Sequence, residues 1–145
     1  MTVIVGINGS SWMASSGDDG IERVLRGLDG DRWHSLVLAR LPVGADFRDW
    51  HPDHDMGEYI QCAGSADRLT IEIRERDGAE LAQLVVGIPE DRSDSAPNKE
   101  VRWGDRVVYV NDNEVFDATS ALPIFIEYAE TGRLPKGLTV RKLIL

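Results

Sequence analysis

Imidazole and carboxylate groups crowd into five consecutive residues, His51-Pro52-Asp53-His54-Asp55, the densest run of potential metal ligands in the chain. Such a set suits zinc or iron. Pro52 breaks regular ligand spacing, no third histidine is near, and a structural zinc site usually brings thiolates. A small metal-dependent enzyme using His51, His54 and nearby acids is therefore the alternative reading. A solvated acidic loop pinned to the body by Phe47 and Trp50 is the plainer one.

The other chemical motifs are weaker. Gly6-Ile7-Asn8-Gly9-Ser10-Ser11 follows a strand-like run, as a phosphate cradle would, but lacks the Gly-Lys-Ser/Thr that completes one. Ser10, Ser11, Ser15 and Ser16 lack the Gly-x-Ser-x-Gly elbow of a serine hydrolase. Cys62, the single cysteine, falls in a predicted strand and reads as a buried thiol with a packing role, and one cysteine fits a reducing compartment. No catalytic residue and no cofactor emerges from these patterns.

Acids and tryptophans carry more. Asp and Glu number 25 against 16 Lys and Arg, a net charge of −9. A field of that sign repels nucleic acid and anionic lipid and attracts basic partners. Residues 1–60 hold ten acids and five bases, 61–100 nine and five, and 101–145 six and six, so the excess lies in the first hundred residues. Trp33 and Trp103 adjoin strand-like segments and are expected in the core. Trp12 and Trp50 sit among polar, loop-like neighbours, and an aromatic ringed by acids is the composition of a protein-binding hot spot. The expected partner-binding residues are Asp46, Asp49, Trp50, Asp53, Asp55 and Glu58, with Glu90, Asp91 and Asp94 as a second patch.

The elements that must position these residues follow from periodicity. With 145 residues and 42% hydrophobic content, the chain suits one domain that buries about 68–70% of its unfolded surface. Strands are expected from Val3 to Ile7, His34 to Leu41, Glu58 to Cys62, Leu69 to Arg74 and Leu81 to Ile88, then as a hairpin from Glu100 to Val110, and last from Leu138 to Leu145. Ile21, Val24, Leu25 and Leu28 mark a helix from Asp18 to Leu28, with Gly30 ending it. Asp117 or Ser120 caps a second helix with Leu122, Phe125, Ile126 and Ala129 facing the core, Pro123 in its first turn and Gly132 at its end. Ala45 to Met56 and Pro89 to Asn98 read as polar loops. Strands in runs with two main helices predict a single α+β domain spanning residues 1–145, its sheet largely antiparallel and meandering. The opening residues lack the basic and apolar regions of a secretory signal, and no stretch nears the ~20 apolar residues of a spanning helix, so a cytoplasmic location is expected.

The hairpin-like Trp103-Gly104-Asp105-Arg106-Val107-Val108-Tyr109-Val110, a polar turn, and the helix from Ser120 into Thr131-Gly132-Arg133-Leu134-Pro135 together resemble the immunity proteins of bacterial polymorphic-toxin systems, most closely the first-numbered immunity family. The resemblance implies a stoichiometric inhibitor that neutralises the C-terminal domain of a cognate toxin, basic and acting on nucleic acid as a nuclease or deaminase. It implies no direct contact with nucleic acid or membrane. The shared residues read as scaffold and carry over no binding site. A generic interaction domain without a toxin is the remaining alternative.

Overall fold

In the computed structural model, which describes residues 2–15, 17–89 and 97–143, strand β1 (Val3–Ile7) turns back into strand β2 (Ser11–Ser15). Asn8 and Gly9 occupy positive φ, 55° and 69°, the conformation that Asn-Gly supplies to tight hairpins. The Asn8 amide donates to the Arg32 carbonyl at 2.7 Å and accepts from the His34 N–H at 2.9 Å. The Gly-rich motif is therefore a hairpin turn stitched to the chain entering the third strand. Trp12 lies in β2 and not in a loop. Ser11, Met13 and Ala14 are exposed, so this edge strand has no buried stripe for periodicity to reveal.

Five further strands complete a sheet: β3 (Ser35–Arg40), β4 (Tyr59–Ser65), β5 (Arg68–Asp77), β6 (Glu80–Gly87) and, after the hairpin β7 (Lys99–Trp103) and β8 (Arg106–Val110), β9 (Thr139–Lys142). The order is β2-β1-β3-β4-β5-β6-β9, and every neighbouring pair is antiparallel. The expected meander is interrupted. β7 and β8 leave it to pair only with each other, and Val101 and Val110 pack with Val85 of β6. Val85 alternates with Leu84 and Val86, which face the main core, so the hairpin covers the opposite face of the sheet.

Helix α1 (Asp18–Gly27) and the long helix Ala118–Thr131 pack side by side on the main-core face. Between them, a single turn at Pro52–Asp55 is α2, which makes the long helix α3. Ile21, Leu25 and Leu28 meet Val3, Val5, Leu36, Leu38 and Ile71 in one apolar cluster. α1 ends at Gly27, with Leu28 in extended conformation; Gly30 lies beyond it in a turn whose N–H donates to the Trp33 carbonyl at 3.1 Å. α3 opens with Asp117, whose side chain accepts from the Ser120 N–H at 2.8 Å, and closes at Gly132, left-handed with φ 76°, where glycine has no steric penalty.

The inward face of α3 differs from the expected one. Ala118, Ala121, Ile124, Phe125, Tyr128 and Ala129 are buried, while Leu122 and Ile126 are only partly so. With α3 beginning at Ala118, Pro123 falls in the second turn, where it removes the N–H that the Thr119 carbonyl would otherwise receive. Trp33 is also corrected: it is 44% exposed, because Asp29 ties residues 31–33 into a turn outside β3, and the Arg32 guanidinium stands 5.5 Å from its ring. Trp103 is half-buried. Among the described residues, no helix is long and apolar enough to cross a membrane.

Candidate functional site

The segment between β3 and β4 is organised by its own acids. Asp46 accepts from the Arg48 N–H at 2.9 Å and takes the Arg48 guanidinium at 2.7 Å. Those hydrogen bonds, the guanidinium's foremost, hold its carboxyl below the usual range. A 3-10 turn over Phe47–Asp49 results. Asp55 folds back to accept from the His51 N–H at 2.8 Å, closing α2 behind Pro52. What reads as an unstructured loop is two short turns in series, each held by a carboxylate that accepts from a backbone N–H.

Aromatic rings fix these turns to the sheet. Phe47 stacks on Trp50 at a centroid distance of 6.4 Å, and Trp50 meets Trp12 of β2 at 5.5 Å. Trp12 lies across Gly6, where an added Cβ would overlap the indole. Trp50 is thus committed to internal packing on one side and remains half-exposed on the other.

So fixed, the segment forms one wall of a cleft of about 660 Å³. The opposite wall is the C-terminal end of α3, with Tyr128, Gly132 and Arg133, and the end of β3 with Arg40. Asp46, Asp49, Trp50, Asp55 and Glu58 all line it, which brings together five of the six candidates from this segment. Asp53 is exposed on α2 and does not line the cleft. Glu90, Asp91 and Asp94 lie outside the described residues. A second hollow of about 150 Å³ continues the cleft past Glu58, Tyr128, Gly132 and Arg133 and adds Arg74 and Glu75.

The remaining chemical candidates separate. The His51 and His54 rings stand 6.2 Å apart, edge to face, and both are exposed. Among the described residues no three His, Cys, Asp or Glu side chains gather as a metal site would require. Cys62 is 1% exposed, and burial pushes its thiol up to about 12, so it stays protonated at neutral pH. Glu72, raised by burial and hydrogen-bonded by Gln83 at 2.8 Å, is not among the side chains lining the cleft.

No protein-family model, curated protein or solved structure matches the chain.

Tyr128, Arg40 and Arg133 are among the cleft residues that sequence reading misses. Tyr128 lies three and four residues after Phe125 and Ile124, on the buried stripe, but a helix rotated to put Leu122 and Ile126 inward hides it. Strand alternation places Arg40 on the face of Leu36 and Leu38, where the register also puts it; nothing in its spacing announces the end of a helix above it.

Proposed function

We propose that this chain is an immunity protein that docks a basic toxin domain through the acidic segment between β3 and β4 and holds it inactive as a stoichiometric complex. The observation that carries this reading is the gathering of Asp46, Asp49, Asp55 and Glu58 around one cleft beside Trp50, on a chain of net charge −9. The resemblance of residues 103–135 to immunity proteins supports the same reading. Exposed carboxylates raise the encounter rate with a positively charged partner above the ~10⁵–10⁶ M⁻¹s⁻¹ of neutral docking. A toxin groove shaped for phosphate would accept a carboxylate surface in its place, and the half-exposed Trp50 gives that surface an apolar anchor.

The test is binding and inhibition with the C-terminal domain encoded by the adjacent upstream reading frame. The expected result is a one-to-one complex in which that domain's nuclease or deaminase activity is lost. Absence of a complex at low ionic strength, or turnover of a small molecule by the purified chain alone, contradicts the proposal.

A further inference from the structure

β2 and β9 stand at the two ends of the large sheet, and β7 and β8 pair only with each other, so each of the four has an edge outside any ladder. Such edges are templates for further strand pairing, and charged side chains, lysine above all, are their usual guard. β9 has Arg141 and Lys142, β8 has Arg106, and β7 has Lys99, Glu100 and Arg102. β2, Ser11-Trp12-Met13-Ala14-Ser15, has no charge at all. The neutral stretch runs from residue 2 to residue 17 in a chain of which 28% is charged. Among the described residues, no backbone–backbone hydrogen bond engages Ser11–Ser15 beyond the ladder with β1.

The core side of this strand is also unfinished. Register places Ser11, Met13 and Ser15 on the face of Ile7, Val5 and Val3, yet Met13 is 45% exposed where Val5 beside it is 2%. What Met13 lacks is a neighbour on its outer side. Helix α1 runs back along β2 from Gly20, where an added Cβ would lie 3.4 Å from Ser15 Oγ, to Gly27 and Leu28, which share a hollow with Ile7. Its first turn is acidic, with Asp18 and Asp19, and its last is basic, with Arg26, which also meets Glu22 at 3.6 Å.

We propose that β2 pairs antiparallel with β2 of a second copy of this chain, about a twofold axis through Met13, joining the two large sheets into one. Charge selects the occupant. Two bodies of net charge −9 repel unless they meet over a neutral surface, and a basic toxin domain finds no carboxylate on this strand to steer it there. The register that pairs all five residues sets Met13 opposite Met13, Trp12 opposite Ala14 and Ser11 opposite Ser15. It preserves the alternation of faces, so the apolar core face continues across the junction and each Met13 covers the other. The twofold also reverses α1 against its counterpart, which turns the acidic first turn of each toward the basic last turn of the other. No β2 residue lines the cleft, so this dimer stands apart from the docking function.

Sedimentation equilibrium of the intact chain should show a monomer–dimer equilibrium in which Met13→Lys raises the dissociation constant by at least about tenfold, the loss expected when a methionine at a symmetric contact is no longer buried. The lysine stem covers the same surface of β2, so the circular dichroism spectrum should be retained. Val140→Lys, at an exposed position on the opposite edge strand, should leave the equilibrium unchanged. Met13→Cys, oxidised with diamide, reads the register: directly opposed Cα atoms of an antiparallel pair lie about 4.5–5.5 Å apart, within disulfide reach. Ala14→Cys, offset by two residues from its copy and so about 8 Å away, should not cross-link. Cys62, 1% exposed, does not compete. A parent that stays monomeric as concentration rises, a dimer that Val140→Lys breaks and Met13→Lys does not, or cross-linking of Ala14→Cys in place of Met13→Cys overturns the proposal. A monomeric parent whose binding to the C-terminal domain encoded upstream is lost in Met13→Lys overturns it too, and assigns the edge to that domain.

Discussion

Trp12 and Trp50 meet with ring centroids 5.5 Å apart and planes tilted by 56°, joining an edge strand at one end of the sheet to the segment that carries most of the cleft's carboxylates. The site's geometry therefore depends on an aromatic contact between parts of the chain that neither a helix nor a strand pairing connects. A double-mutant cycle of Trp12→Ala and Trp50→Ala, followed by urea unfolding, should give a coupling of about 1 kcal/mol. Strict additivity would mean the rings only share a neighbourhood.

Gly6 is where the backbone makes room for this contact. Gly6→Ala places a methyl against the Trp12 indole and should destabilise by about 2 kcal/mol, as overpacking does. In a Trp12→Ala background the same substitution should cost almost nothing. An equal cost in both backgrounds would place the strain elsewhere in β1.

How much of this can be read in advance depends on whether an element buries a periodic face. α1 and β5 do, and Ile21, Val24 and Leu25 or Leu69, Ile71 and Ile73 announce them. β2 buries little, and so its sequence is indistinguishable from a loop. α3 is legible by its ends, Asp117 and Gly132, but not by its rotation: Leu122 and Ile126 are as apolar as Ile124, and only packing against α1 and the sheet selects among them. The departure of β7 and β8 from the meander turns on which face Val101 and Val110 seek, and local spacing cannot show it. The acids of the 46–58 segment are visible as a charge run, whereas their partner wall, Tyr128 and Arg133, comes from α3 and its end through long-range folding.

Glu114 and Arg141 form a bidentate pair, both bonds at 2.9 Å, with the Glu114 side chain 4% exposed. Glu114 also accepts from the Asn111 N–H at 2.8 Å. Glu114→Ala leaves the guanidinium without its main anion and should destabilise by about 3 kcal/mol in urea, at the lower end for broken buried pairs because Arg141 is partly solvated. A loss under about 1 kcal/mol would mean that solvent replaces the carboxylate.

Glu72 gives a pH dependence of defined sign. Burial raises its folded-state carboxyl above the ordinary value, so the folded chain binds a proton that the unfolded chain has released, and stability from this group falls as pH rises through that window. Glu72→Gln removes the dependence. Relative to the parent, the variant should gain stability as pH rises from the ordinary carboxylate range through the raised value, and the difference should be flat above it. A difference in urea midpoint that stays constant from acid to neutral pH would contradict the assigned burial.

The docking proposal is tested most directly by stopped-flow association of the chain with the C-terminal domain encoded by the adjacent upstream reading frame across ionic strength, for the parent and for Asp49→Asn, Asp53→Asn, Asp55→Asn combined. Screening shortens to ~8 Å at 0.15 M salt, so the parent's association rate should fall by about tenfold or more from low to physiological salt. The triple variant should start slower and respond less, with its fold retained because the amide oxygen that replaces the Asp55 carboxylate can still accept from the His51 N–H. A rate independent of salt, and equal in parent and variant, would contradict electrostatic docking by this segment.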